Sequence, residues 1–235
     1  MMDEDSRFLR PTWYIDYDDE AVTARAKEIV VGAADDRDRA VRLYYAVRDG
    51  FRYNPYRMSI DRNNYRASFV LGMGEGFCVQ KAVLLAAFAR AVGIPGRLRF
   101  ANVRNHLATK KLIEAMKTDL FVFHGYNELL IHGVWVKCTP AFNLALCEKF
   151  EIQPLEFDGR RDSIFHPFDR RGNRHMEYIH DYGWFDDLPF DLMVQEFTRH
   201  YPHIVGYLRR QGGGVAADFE REAADERRSG GRGHG

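Results

Sequence analysis

The stretch GMGEGFCVQKAVLLAAFARAVGIPGRLRF, residues 72–100, decides the fold. It predicts a glycine-rich turn, then a helix over 78–92, then a strand that begins near GRLRF. The apolar side chains cover such a broad face of the helix that most of its surface should be buried. Gly93, followed by Ile94-Pro95, ends the helix, because glycine is common just past a helix and proline cannot continue one. We expect the rest of the chain to pack around this helix.

A β-hairpin is the second clear element. The runs LFVFHGYNELLI (120–131) and VWVKCTPAF (134–142) flank a two-residue His132-Gly133 turn. Counting back from that turn, Asn127 faces Cys138, Glu128 faces Lys137 and Tyr126 faces Thr139. Strand alternation then puts Thr139 on the same face as His124, Tyr126, Glu128 and Leu130, with Phe121, Phe123, Asn127, Leu129, Ile131 and Cys138 on the other. One β-bulge in either strand would reverse this assignment.

The remaining segments are arranged as one domain. Apolar spacing, acids in first turns and glycine stops predict helices over 18–31, 36–49 and 191–200, and a helix or helical connection within 105–118. The stretch beyond Phe150 is predicted to be irregular, and we expect residues 150–211 to form a loop-rich cover. The domain is therefore assigned to residues 1–211, with its motif core at 36–143. Residues 212–235 are predicted to be a flexible tail in which Phe219 is the one large apolar group.

Composition excludes several functional classes. The 34 basic and 34 acidic side chains cancel, whereas a nucleic-acid binder normally has a basic excess. No run approaches the ~20 apolar residues of a membrane span, and the first thirty residues lack an apolar signal segment. We therefore expect a cytoplasmic protein with no nucleic-acid or membrane partner.

The cysteines and histidines do not predict a metal site or a disulfide framework. Three cysteines without CxxC spacing, Cys78, Cys138 and Cys147, are not typical of either. His166, His175 and His180, with Asp169 and Asp181, are nine and five residues apart, which fits neither a helical pair nor a finger. We expect no metal and no cofactor.

Cys78 is the candidate nucleophile. It stands in the first turn of the buried helix, where free backbone N–H groups and the positive end of the helix dipole favour a thiolate. The same N–H groups can stabilise an oxyanion formed when the thiolate attacks a carbonyl. Taken alone, a small apolar core residue is the commoner role of a free cysteine.

His124 is the candidate partner of Cys78. A polar histidine within the apolar strand LFVFHGY needs a reason, and a hydrogen bond to a core carbonyl is the ordinary one. A cysteine and a histidine on adjacent elements is instead the arrangement of a thiolate–imidazolium nucleophile.

These segments carry a family resemblance. The block 72–100 resembles the transglutaminase-like signature, with a glycine-rich lead, a nucleophilic cysteine, a long Ala/Leu helix and the ending R-x-x-G-I-P-x-R. HGYNELLIHGVWVKCTP (124–140) resembles its second block, which begins with the catalytic histidine, and RLYYAVRDGFRYN (42–54) precedes both in the correct order. The resemblance implies an α+β, papain-like core with the Cys78 helix packed on an antiparallel sheet that bears His124. It also implies metal-free thiol chemistry on amide or peptide bonds.

The sequence departs from the family pattern at the third position of the triad. The family has an Asp before the proline, and this chain has Thr139-Pro140. A threonine hydroxyl can accept the histidine N–H but brings no charge. Three alternatives stay open: a neutral triad with Thr139, a carboxylate supplied by Asp158, Asp162 or Asp181, or a site that has lost catalysis.

The predicted function is hydrolysis of an amide or peptide bond in a peptide or protein substrate. Acyl transfer to an amine and a catalytically silent binding module on the same fold are the alternatives. The candidate catalytic residues are Cys78, His124 and Thr139. The candidate substrate-binding residues are Gly76, Phe77, Gln80, Tyr126 and Trp135. For Gln80, Tyr126 and Trp135, ordinary helix-surface and core roles compete with that assignment, and Glu128 and Lys137 are expected to form a cross-strand ion pair.

Overall fold

The computed structural model describes residues 4–105, 110–150, 152–164 and 176–211, together with Phe219, Arg221 and Asp225. Its helices are α1 (Glu20–Ile29), α2 (Asp36–Gly50), α3 (Ala67–Met73), α4 (Cys78–Ala91), α5 (Lys110–Met116), α6 (Leu144–Phe150), α7 (Phe190–His200) and α8 (Pro202–Gln211). Its strands are β1 (Arg52–Tyr53), β2 (Glu75–Gly76), β3 (Gly96–Asn105), β4 (Leu120–Ile131), β5 (Val134–Cys138) and β6 (Met176–Phe185). Short 3₁₀ turns cover Glu4–Leu9, Pro55–Arg57 and Arg62–Tyr65.

The central element is α4, and its burial follows from its composition. Every residue from Cys78 to Arg90 is buried. One side of the helix packs on β3 and β4, and α1, α2 and α3 pack on its other sides. The four-stranded antiparallel sheet has the order β5-β4-β3-β6. The predicted α+β fold, with the Cys78 helix on an antiparallel sheet that bears His124, is confirmed.

The predicted helices and the hairpin are present at the expected places. Aspartates accept the first backbone N–H groups of α1 and α2: Asp19 accepts from Ala21 and Val22, and Asp35 accepts from Asp38. The hairpin register is confirmed for Asn127 with Cys138 and Glu128 with Lys137, and the pairing of β4 with β5 ends at Asn127–Cys138.

Strict alternation along β4 was wrong at one place. His124 pairs with Ala101 and Phe121 with Val103, so Val122 and Phe123 together lie opposite Asn102. Phe123 has a positive φ of 61°. The consecutive residues Phe121 and Val122 both line one cavity, which strict alternation would not allow. This bulge precedes His124, and the pairing of β4 with β3 is uninterrupted from His124 to Leu129.

The expectation of irregular chain beyond residue 150 was also wrong in part. Strand β6 lies in that stretch and completes the sheet by pairing with β3. Its side chains are mostly exposed or half-buried, so its sequence lacks the apolar alternation that identifies a strand. Helices α3, α6 and α8 were likewise not anticipated.

Some predictions concern residues outside the described ranges. Of the tail, only Phe219, Arg221 and Asp225 are described, and residues 166, 169 and 175 lie outside the described ranges. Within those ranges no helix is both long and apolar enough to cross a membrane, and no cluster of three His, Cys, Asp or Glu side chains could hold a metal ion.

Candidate active site

The start of α4 is fixed by its own first turn. Phe77 is the extended residue before the helix, and its N–H donates to Gln80 Oε1 at 3.1 Å. Gln80 Nε2 donates to the carbonyl of Asn64 at 2.8 Å, so this buried amide caps the helix and ties it to the chain before α3. Gly76 is crowded by the Gln80 side chain, because a Cβ there would meet Gln80 Cβ at 3.0 Å. Cys78 therefore begins a helix whose first turn is rigidly held.

Gly125 brings the start of α4 onto the strand that carries His124. A Cβ placed on Gly125 would meet Val79 Cα at 2.9 Å and the Cys78 carbonyl oxygen at 3.3 Å. Only a glycine allows the two backbones to lie this close. Two residues further along β4, Asn127 Nδ2 donates to the Ala82 carbonyl at 2.9 Å. The glycine beside His124 thus sets the distance between the cysteine helix and the histidine strand.

Cys78 and His124 line one cavity of about 510 Å³, its open mouth included. The two side chains are 7% and 5% exposed. The walls are otherwise mainly apolar and aromatic, and comprise Tyr53, Pro55, Met58, Phe77, Val103, Asn105, Met116, Phe121, Val122, Phe142, Met176 and Tyr201. A mostly apolar cleft with a few polar groups is the usual form of a small-molecule or peptide subsite. Of the predicted substrate-binding residues, Phe77 is the one in this wall.

Both reactive side chains are uncharged in this cavity. Burial raises the pKa of Cys78 to about 11, although hydrogen bonds from the N–H groups of Gly125, Val79 and Cys78 itself act in the opposite direction. Burial lowers the pKa of His124 to about 3. The N–H groups at the helix terminus therefore favour the thiolate as expected, but desolvation is the larger effect and raises the pKa.

The comparison with family models gives a match over residues 23–140 to the transglutaminase-like superfamily. This range holds α4, β3, β4 and β5, and with them Cys78, His124 and Thr139. It spans half of the chain. The chain belongs to the transglutaminase-like superfamily.

Solved structures with similar chains include a candidate cysteine protease from Cytophaga hutchinsonii, 15% identical, with a TM-score of 0.47. The match covers 78% of this transglutaminase-like chain and 55% of that one. A candidate protease from Parabacteroides distasonis is 13% identical with a TM-score of 0.40, over 60% of this chain and 27% of that one. This chain therefore spans about half of the first neighbour and a quarter of the second. No curated protein matches it.

Thr139 follows the last residue of β5 and is buried. Its N–H donates to the Ser163 carbonyl at 3.0 Å, and its own carbonyl accepts from the Tyr44 hydroxyl at 3.1 Å. Within the described part of the chain its Oγ1 makes no hydrogen bond, and the residue is not in the cavity wall. The role of Thr139 in orienting His124 stays a prediction.

The three alternative carboxylates are occupied elsewhere. Asp158 accepts the N–H groups of Arg160 and Arg161, which lowers its pKa to about 2. Asp162 accepts the Lys137 N–H at 2.9 Å, and Asp181 accepts from Arg99 at 2.6 Å. None of them lines the cavity. Asn105, at the end of β3, is the carboxamide that does line it.

Tyr126 and Trp135 lie in a separate cluster of arginines and aromatic rings. The Arg97 guanidinium stands 4.0 Å from the centre of the Trp135 ring, and that of Arg99 stands 5.8 Å from the Tyr126 ring. Glu128 accepts from both arginines, at 2.5 and 2.9 Å. The expected Glu128–Lys137 ion pair was wrong: the two residues are paired in the ladder, but the carboxylate binds the β3 arginines.

Two buried residues near the cavity support its walls, and the sequence analysis did not identify either of them. Lys81, one turn after Cys78, is fully buried, and its Nζ donates to the carbonyls of Arg48, Phe51 and Ala141 at 2.9, 2.6 and 2.7 Å. Phe219 is 4% exposed and packs on the rings of Tyr53, Tyr56 and Phe150. A lysine in a helix and a phenylalanine in a polar, glycine-rich tail carry no sequence signal for these roles.

Proposed function

We propose that this chain is a transglutaminase-like cysteine hydrolase that cleaves an amide or peptide bond through Cys78 and His124. The observation that supports it most is the shared cavity, since a helix terminus and a strand supply a thiol and an imidazole to one apolar cleft. Membership of the superfamily supports the same chemistry. A peptide or protein amide is the substrate class.

The ionisation of the pair defines the order of the steps. Because both groups are neutral in the cavity, His124 acts as a general base during attack and not as half of a preformed ion pair. Cys78 Sγ forms a bond to the substrate carbonyl carbon while its proton passes to the imidazole. The developing oxyanion lies near the N–H groups at the start of α4.

The second half of the reaction releases two products. The tetrahedral intermediate expels the amine, which takes the proton from the imidazolium, and a thioester on Cys78 remains. A water molecule, deprotonated by His124, attacks the thioester and restores the thiol with release of the carboxylic acid. An amine in place of the water gives acyl transfer through the same intermediate.

A catalytically silent binding module is the second candidate, and one observation favours it. The third position of the triad holds Thr139, whose hydroxyl forms no hydrogen bond among the described residues. A threonine at this position brings no charge that would stabilise an imidazolium, whereas the Asp of the family pattern does. Such a module would bind peptides in the cleft and leave them intact.

A library of short peptides and amides, assayed by mass spectrometry, tests the proposal. We expect turnover by the wild type and its loss in Cys78→Ala and in His124→Ala. Cys147→Ala is the matched control, because that buried thiol is not in the cavity wall, and it should retain turnover. Binding of a peptide that is equal in wild type and Cys78→Ala, without cleavage by either, would instead support the silent module.

A further inference from the structure

The β-bulge immediately before His124 determines where its imidazole lies. Val122 and Phe123 share one partner position, Asn102, on β3, and Phe123 has a φ of 61°. A positive φ is strained for a residue other than glycine, and such strain persists only where neighbours enforce it. The backbone that leads into His124 is therefore held by something outside β4.

Two side chains hold it. The N–H of Val122 donates to Tyr201 Oη at 2.6 Å, and the N–H of Phe123 donates to Asn102 Oδ1 at 3.0 Å. These are the two amides of the bulge. The Tyr201 hydroxyl in turn donates to the Leu120 carbonyl at 2.7 Å. Because a buried amide that loses its acceptor is destabilising, these bonds oppose any return of the strand to a regular, extended form.

Tyr201 reaches β4 from a separate element. It is the fully buried residue after α7, and it lines the cavity that holds Cys78 and His124. Its backbone is fixed at the end of the helix, since its own N–H donates to the Phe197 carbonyl at 2.7 Å. The Tyr201 hydroxyl accepts from one residue of β4 and donates to another, so its role is to support the strand and not to bind a substrate.

Asn102 is connected to the same helix. Tyr182 of β6 lies in hydrogen-bond contact with the Asn102 side chain, and the Tyr182 hydroxyl donates to Glu196 Oε2 on α7 at 2.6 Å. Tyr201 directly follows α7, and Asn102 is linked to the same helix through Tyr182 and Glu196. This helix lies outside the matched family range of 23–140.

We propose that Tyr201 and Asn102 are positioning residues that aim His124 at Cys78 by fixing the bulge at Val122–Phe123. This inference rests on the proposed function, because it concerns proton transfer from the Cys78 thiol to His124. When either support is removed, the bulge relaxes and the imidazole leaves its place. Misplacement by about 1 Å costs an enzyme up to about a hundredfold in rate.

The test is the rate of Cys78 alkylation by iodoacetamide at pH 7 and pH 10, followed by peptide mapping. At pH 7 the thiol needs the base, whereas at pH 10 hydroxide takes its proton. We expect Tyr201→Phe and Asn102→Leu to lower the pH 7 rate about tenfold and to leave the pH 10 rate within twofold. Tyr207→Phe, an exposed tyrosine on α8, is the matched control and should leave both rates unchanged.

Each other outcome has a definite meaning. Wild-type rates in Tyr201→Phe at both pH values would overturn the inference, and so would an equal change at both, since that reports altered access to the cavity. If Tyr201→Phe does not fold, Asn102→Leu decides by the same criteria. A His124→Ala variant with the wild-type pH dependence would refute the proposed function itself. A changed dependence in His124→Ala together with unchanged rates in Tyr201→Phe would refute only the positioning role.

Discussion

Acid should destabilise this protein through His124. Burial lowers the pKa of this histidine to about 3 in the folded chain, against an ordinary value of about 6.5. The unfolded chain therefore takes up a proton as the pH falls through 6.5, while the folded chain stays neutral until about pH 3. The folded state binds fewer protons in this window, so its stability falls with the pH.

The size of the effect follows from the difference in proton binding. Below about pH 6.5, where the unfolded histidine is charged and the folded one is neutral, each further pH unit lowers the free energy of unfolding by about 1.4 kcal/mol. Between pH 7.5 and 5.5 the unfolded His124 goes from mostly neutral to mostly charged, which removes about 1.4 kcal/mol from the free energy of unfolding. Urea unfolding at the two pH values measures this quantity.

A variant that lacks this one histidine isolates the contribution. We expect His124→Gln to lose about 1.4 kcal/mol less than the wild type between pH 7.5 and 5.5, because glutamine does not titrate. His132→Asn, at the exposed hairpin turn where φ is positive, is the matched control and should follow the wild type. Equal losses in wild type and His124→Gln would show that the imidazole is not buried in neutral form, and the reasoning would fail.

Three further substitutions test the frame of the site. Lys81→Met should lower the free energy of unfolding by about 3–5 kcal/mol, because three buried carbonyls lose a charged donor. Gly125→Ala should lower the rate of Cys78 alkylation at pH 7 and destabilise the fold by about 1–3 kcal/mol, because its methyl group would meet Val79 at 2.9 Å and push α4 away. Glu128→Gln should cost about 3 kcal/mol in urea unfolding with little effect on alkylation, since its two arginines lie outside the cavity.

Matched controls separate these effects from generic loss of stability. Lys27→Met and Glu28→Gln change exposed positions on α1, and both should stay within about 0.5 kcal/mol of the wild type. Gly72→Ala adds a methyl group where nothing lies within 4 Å, and it should leave alkylation unchanged. If Gly125→Ala behaves like Gly72→Ala, the close approach of α4 and β4 does not position Cys78.

The central helix and the hairpin could be predicted because both are local. The apolar side chains of α4 and the turn at His132-Gly133 are read from consecutive residues, and the register that follows from the turn holds as far as Cys138. The pairing of Asn127 with Cys138 needed no information from elsewhere in the chain. Short-range patterns of this kind are the most dependable sequence signals.

The parts that escaped prediction depend on distant residues. Strand β6 is identified by its partner β3, because its own sequence, MEYIHDYGWF, mixes apolar and charged residues without regular alternation. The bulge before His124 depends on Tyr201, which follows α7 about eighty residues later. The neutral state of Cys78 depends on the depth of the cavity, which several elements create together. Burial and long-range hydrogen bonds are properties of the folded chain, and sequence patterns do not contain them.

A thioester on Cys78 is the most direct evidence for the proposed chemistry. The protein is mixed with an activated acyl donor such as p-nitrophenyl acetate, quenched in acid within a second, digested, and examined by mass spectrometry. We predict an acetyl group on the Cys78 peptide of the wild type, a much smaller yield in His124→Ala, and an unlabelled peptide in Cys78→Ala. Equal labelling of Cys78 in wild type and His124→Ala, or labelling confined to Cys138 or Cys147, would contradict the account.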